Sequence, residues 1–514
     1  MLAGSTAAIG SEPVQAVTPS RVRWSQFRIA HVLLIVVCIG YVGLIVVRTS
    51  QSLLPTWDEV VYASQVARDV PAAVYTEPRS RGMSLLMAPI ASFTSSIFAL
   101  RVFLSLLAGV AMYVAFRPWL TVLQPHGRKA MFVPAVAAAL FASLWSTVLY
   151  GTMIYPNLWL AFALVAGAGF YCLAMQRQRP ALVVLVAIAA SFAIASLLRP
   201  TDSVAAAAPL VLVAVVWRTR RWVAPAGAVA GGLVIGWGVW FVEAFVLFDG
   251  PFQRLRGGSD LNEGGPTWSL PRHLDAIDGP RLLCRPHEVC EGFWLPASLW
   301  WLLLPLTVVV GVLAARRAGW GTPSIVAVAC GAGVALQYFV LIDYANARFL
   351  QPTYALLAIP AAAVLLWLVA MPSTTRGRVV ALSLCGAGLV GHLATQQVSL
   401  KDNQDVLLDV SRSLGSAQRI LAEEHNVTAP CLVVGQSAVS LGYMLHCRSD
   451  HATENTLSGR ESLITEAMDA GEDVAVRISA DAAVPEFMSD WRRVELPGSS
   501  YVAYLPPPAT GANQ

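Results

Sequence analysis

The sequence predicts an all-α polytopic membrane protein with about eleven transmembrane helices, interfacial helices in the first external loop and a small C-terminal α/β extracytoplasmic domain. Three observations lead there. Hydrophobic residues make up 56% of the 514 and charged residues only 13%, a balance foreign to soluble domains. The apolar residues come in runs of about 20, the length that crosses a hydrocarbon core. Basic residues gather in alternate connections, as they do on the cytoplasmic side of a membrane. The net charge of +4 is too small to point to a nucleic-acid partner.

Residues 1–28 are small, polar and basic, without a cleavage site behind a short apolar core, and read as a disordered cytoplasmic N-terminus. Residues 29–398 form the transmembrane unit, with expected spans at 31–47, 97–116, 130–149, 156–174, 181–198, 203–217, 223–247, 296–315, 324–342, 350–370 and 379–397. The stretch 83–116 holds either two short spans or a surface helix followed by one span. Arginines decide: with 83–96 on the membrane surface, Arg117, Arg128, Lys129, Arg177, Arg179, Arg218, Arg220, Arg221, Arg316, Arg317, Arg376 and Arg378 all fall inside. The expectation is a multi-pass protein of the plasma membrane, its N-terminus cytoplasmic and its C-terminal domain extracytoplasmic. Every acid except Glu12 then lies on or near the outer face.

This map leaves external loops at 49–96 and 249–295 and a tail at 399–514. In the tail, helix-like patterns at 405–424 and 461–470 alternate with strand-like runs at 431–434, 474–478 and 501–505, which gives an α/β domain. Its "GQSAV" at Gly435 lacks the second glycine of a nucleophile elbow, so no hydrolase is read from it. Cys38, Cys172, Cys330 and Cys385 lie in spans and read as small buried hydrophobes. Cys284, Cys290, Cys431 and Cys447 lie outside, where disulfides persist, and the simplest pairing is Cys284 with Cys290 and Cys431 with Cys447. No cysteine or histidine spacing points to zinc, and no metal or other cofactor is required by the pattern.

Just beyond the first span stands "TWDE", Thr56 to Glu59. Its spacing is that of a capping box, in which the Glu59 carboxylate reaches back to the Thr56 amide, so Glu59 is mainly a helix cap. Asp58 is less well explained by capping, although a helix N-terminus favours an acid. Its company is more telling: Glu77, Arg79, Arg81, Arg101, Arg199, Asp202, Glu243, Asp343 and Arg348 are all expected at the same interface. Charges at that depth are costly and tend to be functional. A transporter would place them near the midplane, whereas an outer-interface cluster suits an enzyme acting on a lipid with an anionic head.

The segments "WDEVVY", "EPRSRGMSLLMAPI", "ALRVFLSLLAG" and "ARFLQPTYALLAIPAA" resemble, in order and sidedness, the GT-C superfamily of membrane glycosyltransferases. The nearer likeness is to the branch of protein O-mannosyltransferases and lipid A aminoarabinose transferases, over roughly residues 33–368. The resemblance implies a sugar donor on a polyprenyl phosphate, inverting transfer of a hexosyl or pentosyl unit, and an acid of the first external loop as general base. Here that acid is Asp58, which can take the proton an attacking hydroxyl sheds. The leaving phosphate needs fixed cations, and arginine suits it. Arg348 and Arg199 are the preferred phosphate ligands, with Arg79, Arg81 and Arg101 as further candidates.

Many relatives carry a second acid in the next external loop, where this chain has "LYGTMIYPNLW". The missing carboxylate weighs against a divalent metal. Tyr155, Asn157, Asp202, Glu243 and Asp343 are the candidate substrate contacts. The expected partners are a polyprenyl-phosphate sugar, a glycan, lipid or protein acceptor, and the bilayer, with no nucleic acid. The alternatives are a transporter or flippase of a lipid-linked or polar substrate, and a polymerase or ligase of surface glycan.

Overall fold

The computed structural model describes residues 21–50, 52–177, 179–217, 220–277, 283–286 and 293–507. In chain order the helices before the large loop are α1 (Arg21–Arg48), α2 (Trp57–Ser64), α3 (Gly82–Ala91), α4 (Ile97–Leu123), α5 (Val133–Ala142), α6 (Trp145–Leu149), α7 (Pro156–Met175), α8 (Leu182–Leu198), α9 (Pro200–Trp217) and α10 (Arg220–Leu247). Then follow α11 (Pro251–Leu261), α12 (Leu270–Asp275), α13 (Leu295–Arg317), α14 (Gly321–Leu341), α15 (Gln351–Ala370) and α16 (Thr375–Arg419). The tail adds α17 (Ala438–Leu445) and α18 (Glu461–Asp469).

Among the described residues, eight helices are long and apolar enough to cross a membrane: those containing α1, α4, α7, α10, α13, α14, α15 and α16. The remaining expected spans take other forms. The stretch 130–149 is interrupted at Ser143 and Leu144, where Leu144 turns to extended backbone between α5 and α6. α8 has 17 residues, and α9 begins directly after it with Pro200 at its first position, where the missing amide costs no hydrogen bond. α3 has 10 residues, too few to span.

The last span differs most. The break expected at 398 does not exist, because α16 continues unbroken for 45 residues to Arg419. Nothing between Leu393 and Val406 is a glycine or proline, so the helix keeps its hydrogen bonds while its composition turns from apolar to polar.

The tail forms a five-stranded sheet from β3 (Cys431–Gly435), β4 (Arg448–Asp450), β5 (Asp473–Ser479), β6 (Arg492–Glu495) and β7 (Tyr501–Leu505), in the order β4-β3-β5-β7-β6. β3 runs parallel to both β4 and β5, while β7 is antiparallel to β5 and to β6. Alternate residues of β3 face opposite sides: Cys431 and Val433 pack with α17 residues Ala438 and Leu441, whereas Leu432 and Val434 pack with Ile464 and Ala467 of α18. β4, β6 and α17 are too short or too polar to have stood out in the sequence. Cys431 and Cys447 are joined by a disulfide. Cys284 is disulfide-bonded as well, and Cys290 lies outside the described residues.

Two contacts position the external segments. Leu283 and Cys284, strand β1, pair antiparallel with Ala345 and Asn346, strand β2, which ties the large loop to the connection before α15. At the start of α3, a Cβ on Gly82 would lie 2.5 Å from the backbone of Leu197, so α3 meets the end of α8 only because this residue has no side chain. Gly82→Ala is therefore expected to displace α3 and to cost ~1–3 kcal/mol. A lowered thermal midpoint of the purified protein in detergent checks this, and an unchanged midpoint speaks against so tight a contact.

Candidate active site

Asp58 owes its position to its neighbour. The Thr56 amide donates to Glu59 Oε2 at 3.0 Å, which closes the capping box at the start of α2. Glu59 does more than cap, and here the structure corrects the sequence reading. Its side chain is fully buried, and both carboxylate oxygens accept from Arg101 Nη2, at 3.0 and 3.2 Å. The Ile154 amide donates to Oε1 at 3.3 Å, and Arg101 also donates to the carbonyls of Leu53 and Leu54. One buried ion pair thus joins the chain leaving α1, the first turn of α4 and the loop before α7.

With Glu59 directed inward, Asp58 lies about 100° around the helix and opens into a cavity of about 400 Å³. Arg79 Nη2 donates to Asp58 Oδ1 at 2.6 Å, and Arg348 Nη2 donates to Oδ2 at 2.9 Å. Burial pushes the Asp58 carboxyl up, but the Arg348 and Arg79 guanidinium groups outweigh it and hold the pKa below the usual carboxylate value. Arg348 lies over the Tyr155 ring at 4.1 Å, and the Tyr155 hydroxyl shares a hydrogen bond of 2.7 Å with Thr56.

Arg199 and Arg285 line the same cavity. Arg199 caps α8, and its Nε donates to the buried Asp202 at 2.9 Å. Asp202 in turn accepts from Tyr338 Oη at 2.6 Å and Gln337 Nε2 at 3.0 Å. Asp202 is thus fully buried, holds Arg199 and does not line the cavity. Arg285 Nη1 pairs with Glu263 at 2.9 Å. Asn157, on the cavity wall, has both side-chain amide atoms buried with no partner among the described residues. Asp58 is the one carboxylate among the described lining residues.

Other expected site residues lie elsewhere. Arg101 is held by Glu59 and two carbonyls and does not line the cavity. Arg81 pairs with Glu243, donates to Gln65 at 2.9 Å and covers the Tyr75 ring at 3.9 Å. Glu243 also pairs with Arg254 at 3.2 Å, and Asp343 with Arg272 and Thr267. In each case an interfacial charge found an opposite charge before it could face a ligand. Sequence reasoning missed Arg254, which is 1% exposed and donates to the Arg79 carbonyl at 2.8 Å, holding the loop that carries Arg79. It also missed Tyr150 and Tyr62, and Arg285, because the large loop gave no pattern that paired it with the connection before α15.

Solved structures share this architecture. The lipid A aminoarabinose transferase ArnT from Cupriavidus metallidurans, crystallised with undecaprenyl phosphate, matches at a TM-score of 0.58 and 14% identity, over 96% of this chain and 100% of that one. The apo form of the same enzyme matches at 0.56 and 13% identity, over 92% and 97%. The chain has the GT-C fold. The oligosaccharyltransferase of Archaeoglobus fulgidus, tethered to an acceptor peptide, matches at 0.53 and 12% identity, over 89% of this chain and 69% of that one. No protein-family model and no curated protein matches the sequence.

The buried pair yields a prediction. Glu59→Ala or Arg101→Ala leaves an uncompensated buried charge and is expected to destabilise by ~3–5 kcal/mol. Glu59→Gln keeps the cap but not the charge and should also be costly, contrary to the expectation for a mere cap. Thermal unfolding of the single and double variants in detergent checks this: the double variant should lose less than the sum of the singles.

Proposed function

We propose that the protein is a membrane glycosyltransferase that moves a sugar from a polyprenyl-phosphate donor to a hydroxyl of an extracytoplasmic acceptor, with inversion and with Asp58 as general base. The observation that carries this reading is a single ionised carboxylate held between Arg79 and Arg348, in a cavity that also presents Arg199 and Arg285. The GT-C fold, shared with an enzyme crystallised with undecaprenyl phosphate, supports the same donor class. The protein sits in the plasma membrane with its C-terminal domain outside, an orientation supported by the arginine-rich connections at 117–129, 177–179 and 316–317.

On this reading each residue has a task. In the free protein Arg79 and Arg348 neutralise Asp58 and keep it a weak base. A phosphate entering beside them competes for the same guanidinium groups, and bidentate binding of phosphate by arginine is strong. As the arginines turn to the phosphate, the carboxylate loses their stabilisation and becomes more basic. The acceptor oxygen then bonds to the anomeric carbon, its proton passes to Asp58, and the bond from that carbon to the phosphate oxygen breaks. The electron pair stays on the departing polyprenyl phosphate, where Arg199, Arg285 and Arg348 offset the growing charge. Attack opposite the leaving phosphate inverts the anomeric centre. Asn157, whose amide has no partner among the described residues, is the proposed contact for a sugar hydroxyl.

Asp58→Asn keeps the size of the side chain and removes the base. Transfer from a polyprenyl-phosphate sugar in liposomes should fall ~100-fold or more with the protein still folded. Full activity would remove Asp58 from the chemistry. The pH profile follows from the lowered pKa. Because the folded value lies below the unfolded one of about 3.9, the ion pairs contribute fully above the ordinary carboxylate range and are lost as pH falls through the lower value. kcat/KM, which reports the free enzyme, should therefore stay flat on the acid side, and an acid limb near about pH 6 would point to another base.

A further inference from the structure

A second cavity, of about 320 Å³, adjoins the first and shares Thr56, Trp57 and Leu407 with it as a common wall. Its far side belongs to the tail and is built from the "GQSAV" turn that no hydrolase chemistry explained. β3 ends at Gly435, whose φ is +106° and where a Cβ would lie 2.1 Å from the Arg477 carbonyl oxygen. Only glycine fits there. The Gln436 amide donates to the Arg477 carbonyl at 2.9 Å, and Arg477 Nη1 donates to the Gln436 carbonyl at 2.9 Å. Ser437 then takes a left-handed conformation, φ 56° and ψ 18°, at the entry to α17. A non-glycine residue held in that region is strained, and such strain gathers at ligand sites.

The topology says why the turn is there. β3 lies between the parallel strands β4 and β5, with α17 on one face of the sheet and α18 on the other. The chain therefore reverses its winding at β3, and ligands of open α/β sheets bind at such a point, outside the carboxyl ends of the strands. Gln436, Ser437 and Ser440 follow the end of β3, and His451 follows the end of β4. All four line the cavity. That end of the sheet faces the start of α2: the His451 ring packs on Trp57 at 4.5 Å between centroids, while the Tyr443 hydroxyl donates to the Ser95 carbonyl at 2.8 Å.

The two cavities differ in chemistry. The larger carries arginines and a carboxylate. Among the described residues, no Asp, Glu, Lys or Arg lines the smaller one, which offers an amide, hydroxyls, the Trp57 and His451 rings, and aliphatic wall from Val410, Leu414 and Val439. Burial lowers the His451 pKa below its usual value, which favours the neutral ring near pH 7. Flat aromatic surface flanked by a few neutral donors and acceptors fits the C–H face and hydroxyls of a sugar, and it offers nothing to compensate a charged group. We infer that this cavity is the acceptor subsite and that it holds an uncharged sugar residue of a glycan, whose free hydroxyl points past Trp57 toward Asp58. This rests on the proposed glycosyl transfer and names its acceptor class.

The test uses the full chain in nanodiscs, with saturation-transfer NMR and titration. The probes are a neutral hexose trisaccharide, a trisaccharide bearing a uronic acid, and an uncharged Ser/Thr/Gly peptide. A polyprenyl phosphate is titrated in parallel as a probe of the larger cavity. The neutral trisaccharide should bind in preference to the other two. The double substitution Gln436→Ala with His451→Ala should weaken it ~10-fold or more while polyprenyl-phosphate binding stays unchanged. Should the double variant lose both ligands through misfolding, Gln436→Ala alone, which leaves the backbone bonds to Arg477 in place, must still weaken the trisaccharide. Preference for the acidic sugar or the peptide, no trisaccharide binding by protein that takes up polyprenyl phosphate, or binding insensitive to Gln436 overturns the inference. Failure of the wild-type protein to bind polyprenyl phosphate instead removes the proposed function, and this inference with it.

Discussion

The buried pair of Glu59 and Arg101 is the constraint on which the site depends. Neither charge has access to water, so each must face the other, and in doing so they fix the junction of three chain segments. The first turn of α2 has no freedom left once Glu59 is inside. Asp58, the preceding residue, is thereby directed into the cavity. A second buried arginine, Arg254, acts in the same way on the opposite side by holding the loop of Arg79. The cavity walls are thus set by charges that never meet a ligand.

Charge balance within the cavity follows from this scaffold. Arg79 and Arg348 are held within reach of one carboxylate, with Arg199 oriented by Asp202 nearby. The arrangement carries an excess of positive charge that Asp58 alone does not neutralise, and it is suited to an anion whose charge grows, as that of a phosphodiester does when it departs as a monoester. On the proposed function, a resting site of this kind keeps its base quiet until a phosphate arrives. The adjoining cavity at the tail lacks these charges among its described lining residues, so on the proposed reading donor and acceptor chemistries are separated by little more than Trp57 and Thr56.

The membrane character and the α/β tail were legible because hydropathy and two-residue periodicity report directly on burial. Asp58, Arg79, Arg199, Arg348, Tyr155 and Asn157 were legible as a group, and the structure brings all of them to one cavity. What the sequence could not convey was pairing. Arg101 and Arg81 look the same as Arg79 and Arg348 until Glu59 and Glu243 are seen beside them. The interruption at Ser143 and Leu144 had no glycine or proline to mark it, and the continuity of α16 was hidden by a change in composition that is not a change in structure. Arg285 lies next to the pairing of β1 with β2, a contact across about 60 residues that no local pattern encodes.

The central claim is that Arg79 and Arg348 exchange Asp58 for the phosphate of a lipid donor. A structure of the protein bound to a polyprenyl phosphate tests it most directly. The account predicts the phosphate within hydrogen-bond distance of Arg348, with the ion pairs of Asp58 to Arg79 and Arg348 loosened and the carboxylate free toward Trp57. A phosphate bound away from these arginines, with both ion pairs to Asp58 intact, would contradict it.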